Sequence, residues 1–229
     1  MTDELLNYLK NLGITPKDKN IFYHAFIHRS YLNEKPQAEP SNERLEFLGD
    51  AVLELLATRF LYENLPGTEG DLSAIRAASV KTTTLAIVAE KMNLAQYLKM
   101  SKGEEITGGR DKTGLLADLF ESFLGAVYLD QGLDKAKEIF DQYLIPYIKD
   151  IVKNKKYIDP KTYFQEVTQE RFKVLPEYKI VEETGPDHNK NFKIAAYLNN
   201  ELLGEGEGPS KQRAQEEAAR SALHKLEKK

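Results

Sequence analysis

Ser41-Asn42-Glu43-Arg44-Leu45-Glu46-Phe47-Leu48-Gly49-Asp50-Ala51-Val52-Leu53 is the stretch that decides how this chain is read. Leu45, Leu48 and Val52 recur at +3 and +7, an apolar stripe with the period of an α-helix. Ser41 or Asn42 is placed to cap its start, just after Pro40. Another face carries Glu43, Glu46 and Asp50, with the last two one turn apart. Like charges at that spacing repel by about 0.2–0.5 kcal/mol even when exposed. A divalent cation is the simplest agent that offsets such repulsion. Glu43 lies in the first turn, where an acid also suits the helix dipole, so taken alone it reads as structural. Asp50 is harder to dismiss, because it interrupts the apolar run from Phe47 to Leu53. Gly49 beside it costs about 1 kcal/mol relative to Ala in a helix interior. A poor helix former next to a misplaced acid points to close backbone approach and a site.

A second acidic helix follows: Leu115-Leu116-Ala117-Asp118-Leu119-Phe120-Glu121-Ser122-Phe123-Leu124-Gly125-Ala126-Val127-Tyr128-Leu129-Asp130. Leu116, Leu119, Phe120, Phe123, Ala126 and Val127 take up most of its circumference, and Asp118 and Glu121, three apart, share what is left. In isolation that pair reads equally as a polar stripe or as a site. Beside the first acidic helix it reads as a site. Glu46, Asp50, Asp118 and Glu121 together make an all-oxygen donor set, which suits Mg²⁺. The chain has no cysteine, so thiolate ligands and disulfides are excluded. His24 and His28 are four apart on what reads as one helix over residues 21–31, but no third ligand accompanies them. Packing or hydrogen bonding is the reading for both.

The 229 residues suffice for one mid-sized domain and one small one. A hydrophobic fraction of 41% and a charged fraction of 30% suit a soluble globular chain. No run reaches the roughly 18 apolar residues of a membrane span. The N-terminal residues lack the basic and apolar regions of a secretory signal. A cytoplasmic protein with no membrane anchor and no organic cofactor is expected. Net charge is −4, which does not by itself favour nucleic acid, but distribution matters more than the sum. Residues 209–229 hold six basic side chains and three acidic ones, a local +3.

Up to about residue 150 strand signals are scarce and the chain reads as all-helical. Leu5, Leu6 and Leu9 predict a first helix. The Glu43 helix runs on through Leu55, Leu56 and Phe60 to a stop at Pro66-Gly67. A helix carrying Ile75, Ala78, Ser79 and Thr82 follows, and one more apolar pattern covers residues 85–98. Residues 102–112 are glycine-rich. They read either as a flexible connection or as a mobile loop bringing Lys102, Arg110 and Lys112 to phosphates. Lysine-rich residues 149–158 lead to Asp159-Pro160, a boundary. The expected domains are therefore 1–152 and 160–229, joined by a linker over 153–159. Past the boundary the period changes. Residues 162–172 read as a helix, 178–181 and 192–198 as strands, Asn199-Asn200 as a hairpin turn, 201–206 as a third strand and 213–227 as an Ala-rich helix.

These stretches carry a resemblance. Glu43 to Leu53 resembles the signature of the ribonuclease III family, Mg²⁺-dependent endonucleases that cut double-stranded RNA, at essentially every position. Asp118-Leu119-Phe120-Glu121 with Gly125 to Asp130 resembles the family's second motif, with Ser122 where Ala is more usual. His28-Arg29-Ser30-Tyr31 resembles a further recurring segment, which supports a structural role there. The α-β-β-β-α order resembles the double-stranded RNA-binding domain. Residues 161–169 resemble its first helix, which would set Thr162, Gln165, Glu166 and Gln169 against an RNA minor groove. Gly185-Pro186-Asp187-His188 resembles the loop that enters the next minor groove, giving Pro186 and His188 that role. Residues 206–211 resemble the turn into the last helix, with Ser210, Lys211 and Arg213 at phosphates across the major groove. Here the chain departs from the pattern, with Gln212 in place of a second lysine and Pro209 before Ser210. Each lost phosphate contact flattens the salt dependence by about one log–log unit.

What the resemblance implies is an α+β chain: an all-α endonuclease domain followed by an α-β-β-β-α RNA-binding domain, in the short bacterial arrangement rather than the longer Dicer type. Glu46, Asp50, Asp118 and Glu121 would be the metal and catalytic residues, Glu43 a supporting one. Mg²⁺ would be the cofactor, with Mn²⁺ as a substitute. The products would carry 5′-phosphate and 3′-hydroxyl ends. A homodimer making one cut per subunit would leave two-nucleotide 3′ overhangs, in processing of ribosomal, messenger and other structured RNA precursors. Phe47, apolar beside the acid face, would be the dimer contact, with ordinary core packing as its alternative. Two other readings compete. A non-catalytic double-stranded RNA-binding protein that kept the fold is disfavoured by the presence of all four acids. A helical di-iron protein would need Glu-x-x-His pairs, whereas Glu46 and Glu121 are followed at +3 by Gly49 and Leu124.

Overall fold

A computed structural model describes residues 1–35, 40–186 and 190–227, and divides the chain into two compact units, residues 1–157 and 158–229. In the first unit the helices are α1 (Asp3–Asn11), α2 (Lys19–Ala25), α3 (Arg29–Glu34), α4 (Glu43–Asn64), α5 (Glu69–Ser79), α6 (Thr82–Lys91), α7 (Lys102–Ile106), α8 (Thr113–Gln131), α9 (Leu133–Tyr143) and α10 (Ile145–Lys153). The second unit contains α11 (Pro160–Phe172), β1 (Glu177–Thr184), β2 (Asn191–Leu198), β3 (Glu201–Gly208) and α12 (Lys211–Glu227). An all-helical unit is thus followed by an α-β-β-β-α unit, as the sequence pattern predicts.

α8 is the centre of the first unit. It is apolar nearly all round, and a helix of that kind must be covered on every side. Leu116, Leu119, Phe120, Phe123, Leu124, Ala126 and Val127 are each at most 1% exposed. α4 lies across it and buries Val52, Leu53, Leu56, Ala57 and Leu61 on its inner face. The two helices meet backbone to backbone. A Cβ on Gly49 would fall 1.8 Å from the Glu121 carbonyl oxygen, and one on Gly125 would fall 2.3 Å from that of Leu45. Ser122, buried one residue past Glu121, donates to the carbonyl of Ala25 at 2.9 Å and so ties α8 to the end of α2. Asp130, 6% exposed, accepts from the backbone N–H groups of Lys17 and Asp18 and holds the loop before α2.

The structure corrects several expected helix limits. Residues 21–31 are two helices, not one. Between them the chain is extended, because Ile27 bridges Lys99: Lys99 N–H donates to Phe26 O and His28 N–H to Lys99 O. His24 and His28 therefore do not share a helix. Residues 85–98 break at Asn93, whose left-handed backbone (φ 53°) ends the α-helical run before a 3-10 turn at Leu94–Tyr97. Thr82 opens α6 rather than closing α5, which begins at a Thr68/Asp71 capping box. Residues 102–112 are structured, with α7 followed by a 3-10 turn at Gly109–Asp111. Asn42 occupies the cap position of α4 but makes no side-chain cap bond; Ser41 Oγ instead donates to Glu43 at 2.8 Å.

In the second unit the strands form an antiparallel sheet in the order β1-β2-β3. Asn199 and Asn200, with φ of 48° and 67°, make the tight turn between β2 and β3, a pair suited to left-handed backbone. α12 lays Ala214, Ala218 and Ala222, all fully buried, against the inner side of β3. Gly204 and Gly206 leave room for that approach, since a Cβ on either would meet α12 backbone within 2.4 Å.

Candidate active site and RNA-binding face

The crossing of α4 and α8 puts carboxylates from two distant stretches side by side. Glu46 is in the first turn of α4, and Asp118 and Glu121 are one turn apart on α8. Among the described residues these three offer oxygens that all lie within 4.8 Å of one another, and each side chain is half-buried. Asp50 and Glu43 are exposed and stand outside that trio, yet close enough for both to add to the field at Glu46. Burial first, then the charges of Asp50, Asp118 and Glu46, push the Glu121 carboxyl up to about 8. Burial and the neighbouring acids likewise raise Glu46, and burial raises Asp118. Groups that resist ionisation in this way are what an uncompensated cage of acids produces. A divalent cation removes the cause, and an all-carboxylate donor set selects a hard one. The residues present therefore fit a hard divalent ion, with oxygens of Glu46, Asp118 and Glu121 positioned to hold it and Asp50 at the edge.

A short extended segment and α3 flank the cluster. His28 caps α3: its Nδ1 accepts from Ser30 N–H and lies 2.8 Å from Ser30 Oγ, which in turn accepts from Ser101 N–H at 3.0 Å. Burial lowers the His28 pKa. Arg29, next in sequence, approaches Glu43 to 3.8 Å, and its charge partly relieves both Glu46 and Asp118. Sequence reasoning gave this segment only a structural part. No local spacing connects Arg29 to the acids, because the link is made by the fold.

Of the three cations in residues 102–112, Arg110 is occupied structurally. It donates to Ala95 O and Leu98 O and pairs with Glu105 at 3.0 Å. Lys112 is bound to Glu104 at 2.6 Å, and Lys102 is exposed.

Phe47 is 81% exposed on α4, so its packing alternative does not hold within this chain. Ala51, Leu55 and Tyr62 continue outward from it at +4, +8 and +15, an apolar stripe along the outer face of the helix.

In the second unit Thr162, Gln165, Glu166 and Gln169 all face outward from α11 and line an open concavity of about 580 Å³ with Lys173 and Leu175. Pro186 is exposed, and His188 lies outside the described residues. Ser210 accepts from Arg213 N–H at the start of α12. Lys211 and Arg213 are exposed there, the latter 3.4 Å from Glu216.

Comparison with known proteins decides the family. The Ribonuclease-III-like family model matches residues 18–148. The chain belongs to the ribonuclease III family. The double-stranded RNA binding motif matches residues 160–226, so this ribonuclease III chain carries the family's RNA-binding domain behind its nuclease domain. It is 43% identical over 229 residues to Ribonuclease 3 of Enterococcus faecalis, covering 99% of both chains. It is 41% identical over 227 residues to that of Pseudothermotoga lettingae, covering 97% of this chain and 95% of the relative. The nuclease domain of Campylobacter jejuni ribonuclease III, described with flexibility in a region involved in dimer formation, superposes with a TM-score of 0.55 at 38% identity. That match covers 60% of this chain and 93% of the Campylobacter one. No single helix among the described residues is long and apolar enough to cross a membrane.

Proposed function

We propose that this chain hydrolyses phosphodiester bonds in double-stranded RNA with Mg²⁺, or Mn²⁺ in its place, and leaves 5′-phosphate and 3′-hydroxyl ends. The observation that carries the reading is the half-buried trio Glu46, Asp118 and Glu121 at the α4–α8 crossing, in a chain with its own double-stranded RNA-binding domain. A bound ion would supply charge stabilisation at the scissile phosphate and ease ionisation of the attacking water. The chain's own groups do the rest. Glu46, Asp118, Glu121 and Asp50 hold the ion, and Glu43 supports them from the first turn of α4. Glu121 must give up its proton to act as a ligand, so loading is coupled to its ionisation. Thr162, Gln165, Glu166, Gln169, Pro186 and His188 would meet minor grooves, and Ser210, Lys211 and Arg213 the phosphates between them. Residues 153–159 would serve as the linker between the two domains. The place of action would be the cytoplasm, and the substrates ribosomal, messenger and other structured RNA precursors.

The deciding experiment is cleavage of a long perfect RNA duplex with Mg²⁺ and with chelator. Cutting with Mg²⁺ alone supports the reading. Binding without cutting under any divalent ion would replace it with that of a non-catalytic duplex-binding protein.

Two cuts offset by two nucleotides need two copies of the site. The exposed stripe of Phe47, Ala51, Leu55 and Tyr62 is the surface we assign to a symmetric homodimer, since one apolar patch paired with itself closes the assembly. Phe47→Glu is expected to give a monomer by light scattering. A dimer of unchanged strength in that variant removes Phe47 from the interface.

A further inference from the structure

Beside the carboxylate trio lies a cleft of about 510 Å³, walled by His28, Arg29, Ser30 and Asn33 on one side and by Glu104 and Lys112 on the other. Leu115, one turn ahead of Asp118 on α8, also lines it. Two cations line this cleft and they differ in how they are held. Lys112 Nζ lies 2.6 Å from the Glu104 carboxylate and 3.2 Å from Thr107 Oγ1. The Arg29 guanidinium is 74% exposed and comes no closer than 3.8 Å to Glu43, too far for a hydrogen bond. Glu43 does not depend on it, because Ser41 Oγ already donates to that carboxylate at 2.8 Å.

An exposed pair at such a distance holds weakly and exchanges readily. Its setting is also specific. Glu43, Glu46 and Asp50 put three acids on one face of α4, whose charge opposes a phosphodiester near the trio. The Arg29 guanidinium opposes that charge, and its effect reaches both Glu46 and Asp118. A guanidinium offers the planar fork that matches two phosphate oxygens.

We propose that Arg29 is a phosphate-binding residue of the nuclease domain: it rests beside Glu43 without RNA and moves onto non-bridging oxygens of a phosphate next to the scissile one. Glu43 is its resting partner and not a metal ligand. The inference rests on the reading that the chain cuts duplex RNA, and its test separates the two.

The measurements are KM and kcat for duplex cleavage over a range of salt, duplex binding in chelator by fluorescence anisotropy, and Mn²⁺ binding to the RNA-free protein by calorimetry. Full-length native chain, Arg29→Ala and Arg29→Lys are compared. Arg29→Ala is expected to raise KM about tenfold, the loss of one charge-assisted contact. It should lower the slope of log KM against log salt by about one. Mn²⁺ binding should be undiminished, because a nearby cation has been removed and no ligand lost. Arg29→Lys should restore the slope and part of the KM. The proposal is overturned if Arg29→Ala leaves KM and slope unchanged, or if it weakens Mn²⁺ binding along with cleavage. If the native chain binds duplex but never cuts, the nuclease reading fails separately. The salt slope of binding then decides for Arg29: a drop of about one in Arg29→Ala supports it, and no change overturns it.

Discussion

Gly49→Ala is expected to lower the melting temperature by about 4 to 8 °C and to reduce duplex cleavage about a hundredfold. The added methyl has nowhere to go. It would lie 1.8 Å from the Glu121 carbonyl oxygen and 2.6 Å from the carbonyl carbon, both backbone atoms of the central helix α8. Rotamer changes cannot relieve a clash with backbone, so α4 and α8 must separate. Overpacking costs about 3 kcal/mol at the upper end of its usual range. The better helix propensity of Ala returns about 1 kcal/mol. Separation also moves Glu46 and Asp50 away from Asp118 and Glu121, because Gly49 is part of the same turns. Misplacement by about 1 Å at reacting groups can cost a hundredfold. Gly114→Ala is the control. It lies on α8 as well, but nothing stands within 4 Å of its Cβ, so its stability and activity should be unchanged or slightly higher. Circular dichroism and cleavage below the melting range read both effects. Native behaviour of Gly49→Ala would show that the crossing does not set the carboxylate geometry.

The same crossing explains how much of the site was legible in the sequence. A carboxylate inside an apolar helix conflicts with burial, and Gly49 conflicts with helix propensity, so both stand out locally. The sequence shows which residues break the pattern, and the fold shows what they meet: Gly49 the backbone of Glu121, Gly125 that of Leu45. Residues 113–131 and 160–227 were legible for a similar reason, since periodicity and turn residues are local signals. What failed to show was set by distant partners. Phe26 and Ile27 look helical until Lys99 is seen beside them. Arg110 looks like a phosphate ligand until its carbonyl partners at Ala95 and Leu98 are known. Arg29 carries no local mark at all, because its neighbours Glu43, Glu46 and Asp118 come from two other helices.

Glu121→Gln tests the site from the electrostatic side, and two opposite effects are expected from one substitution. Cleavage should fall about 10²- to 10³-fold, as when one preorganised stabiliser of developing charge is lost. Duplex binding should hold, since residues 160–226 carry the RNA-binding motif and are untouched. The metal-free protein, by contrast, should become more stable at alkaline pH. Burial and the charges of Asp50, Asp118 and Glu46 push Glu121 from 4.5 to about 8, so the folded chain favours its protonated form. A raised carboxyl contributes stability that is fully present below pH 4.5 and is lost as pH rises through about 8. Glutamine keeps the neutral state at every pH. The gain should therefore be absent in acid and reach about 1 to 2 kcal/mol above pH 8, after allowing for solvent screening of a partly exposed group. That corresponds to about 2 to 8 °C in melting temperature. Saturating Mg²⁺ should reverse the order, because the native chain then gains a bound ion that the variant holds poorly. Equal melting curves across pH without metal would mean that the acids do not repel one another as their spacing requires. A variant that is stabilised in alkali and still cuts would keep the electrostatics but remove Glu121 from the chemistry. A variant that neither cuts nor gains stability would point to damage in the α4–α8 packing, where Gly49 and the Glu121 backbone touch.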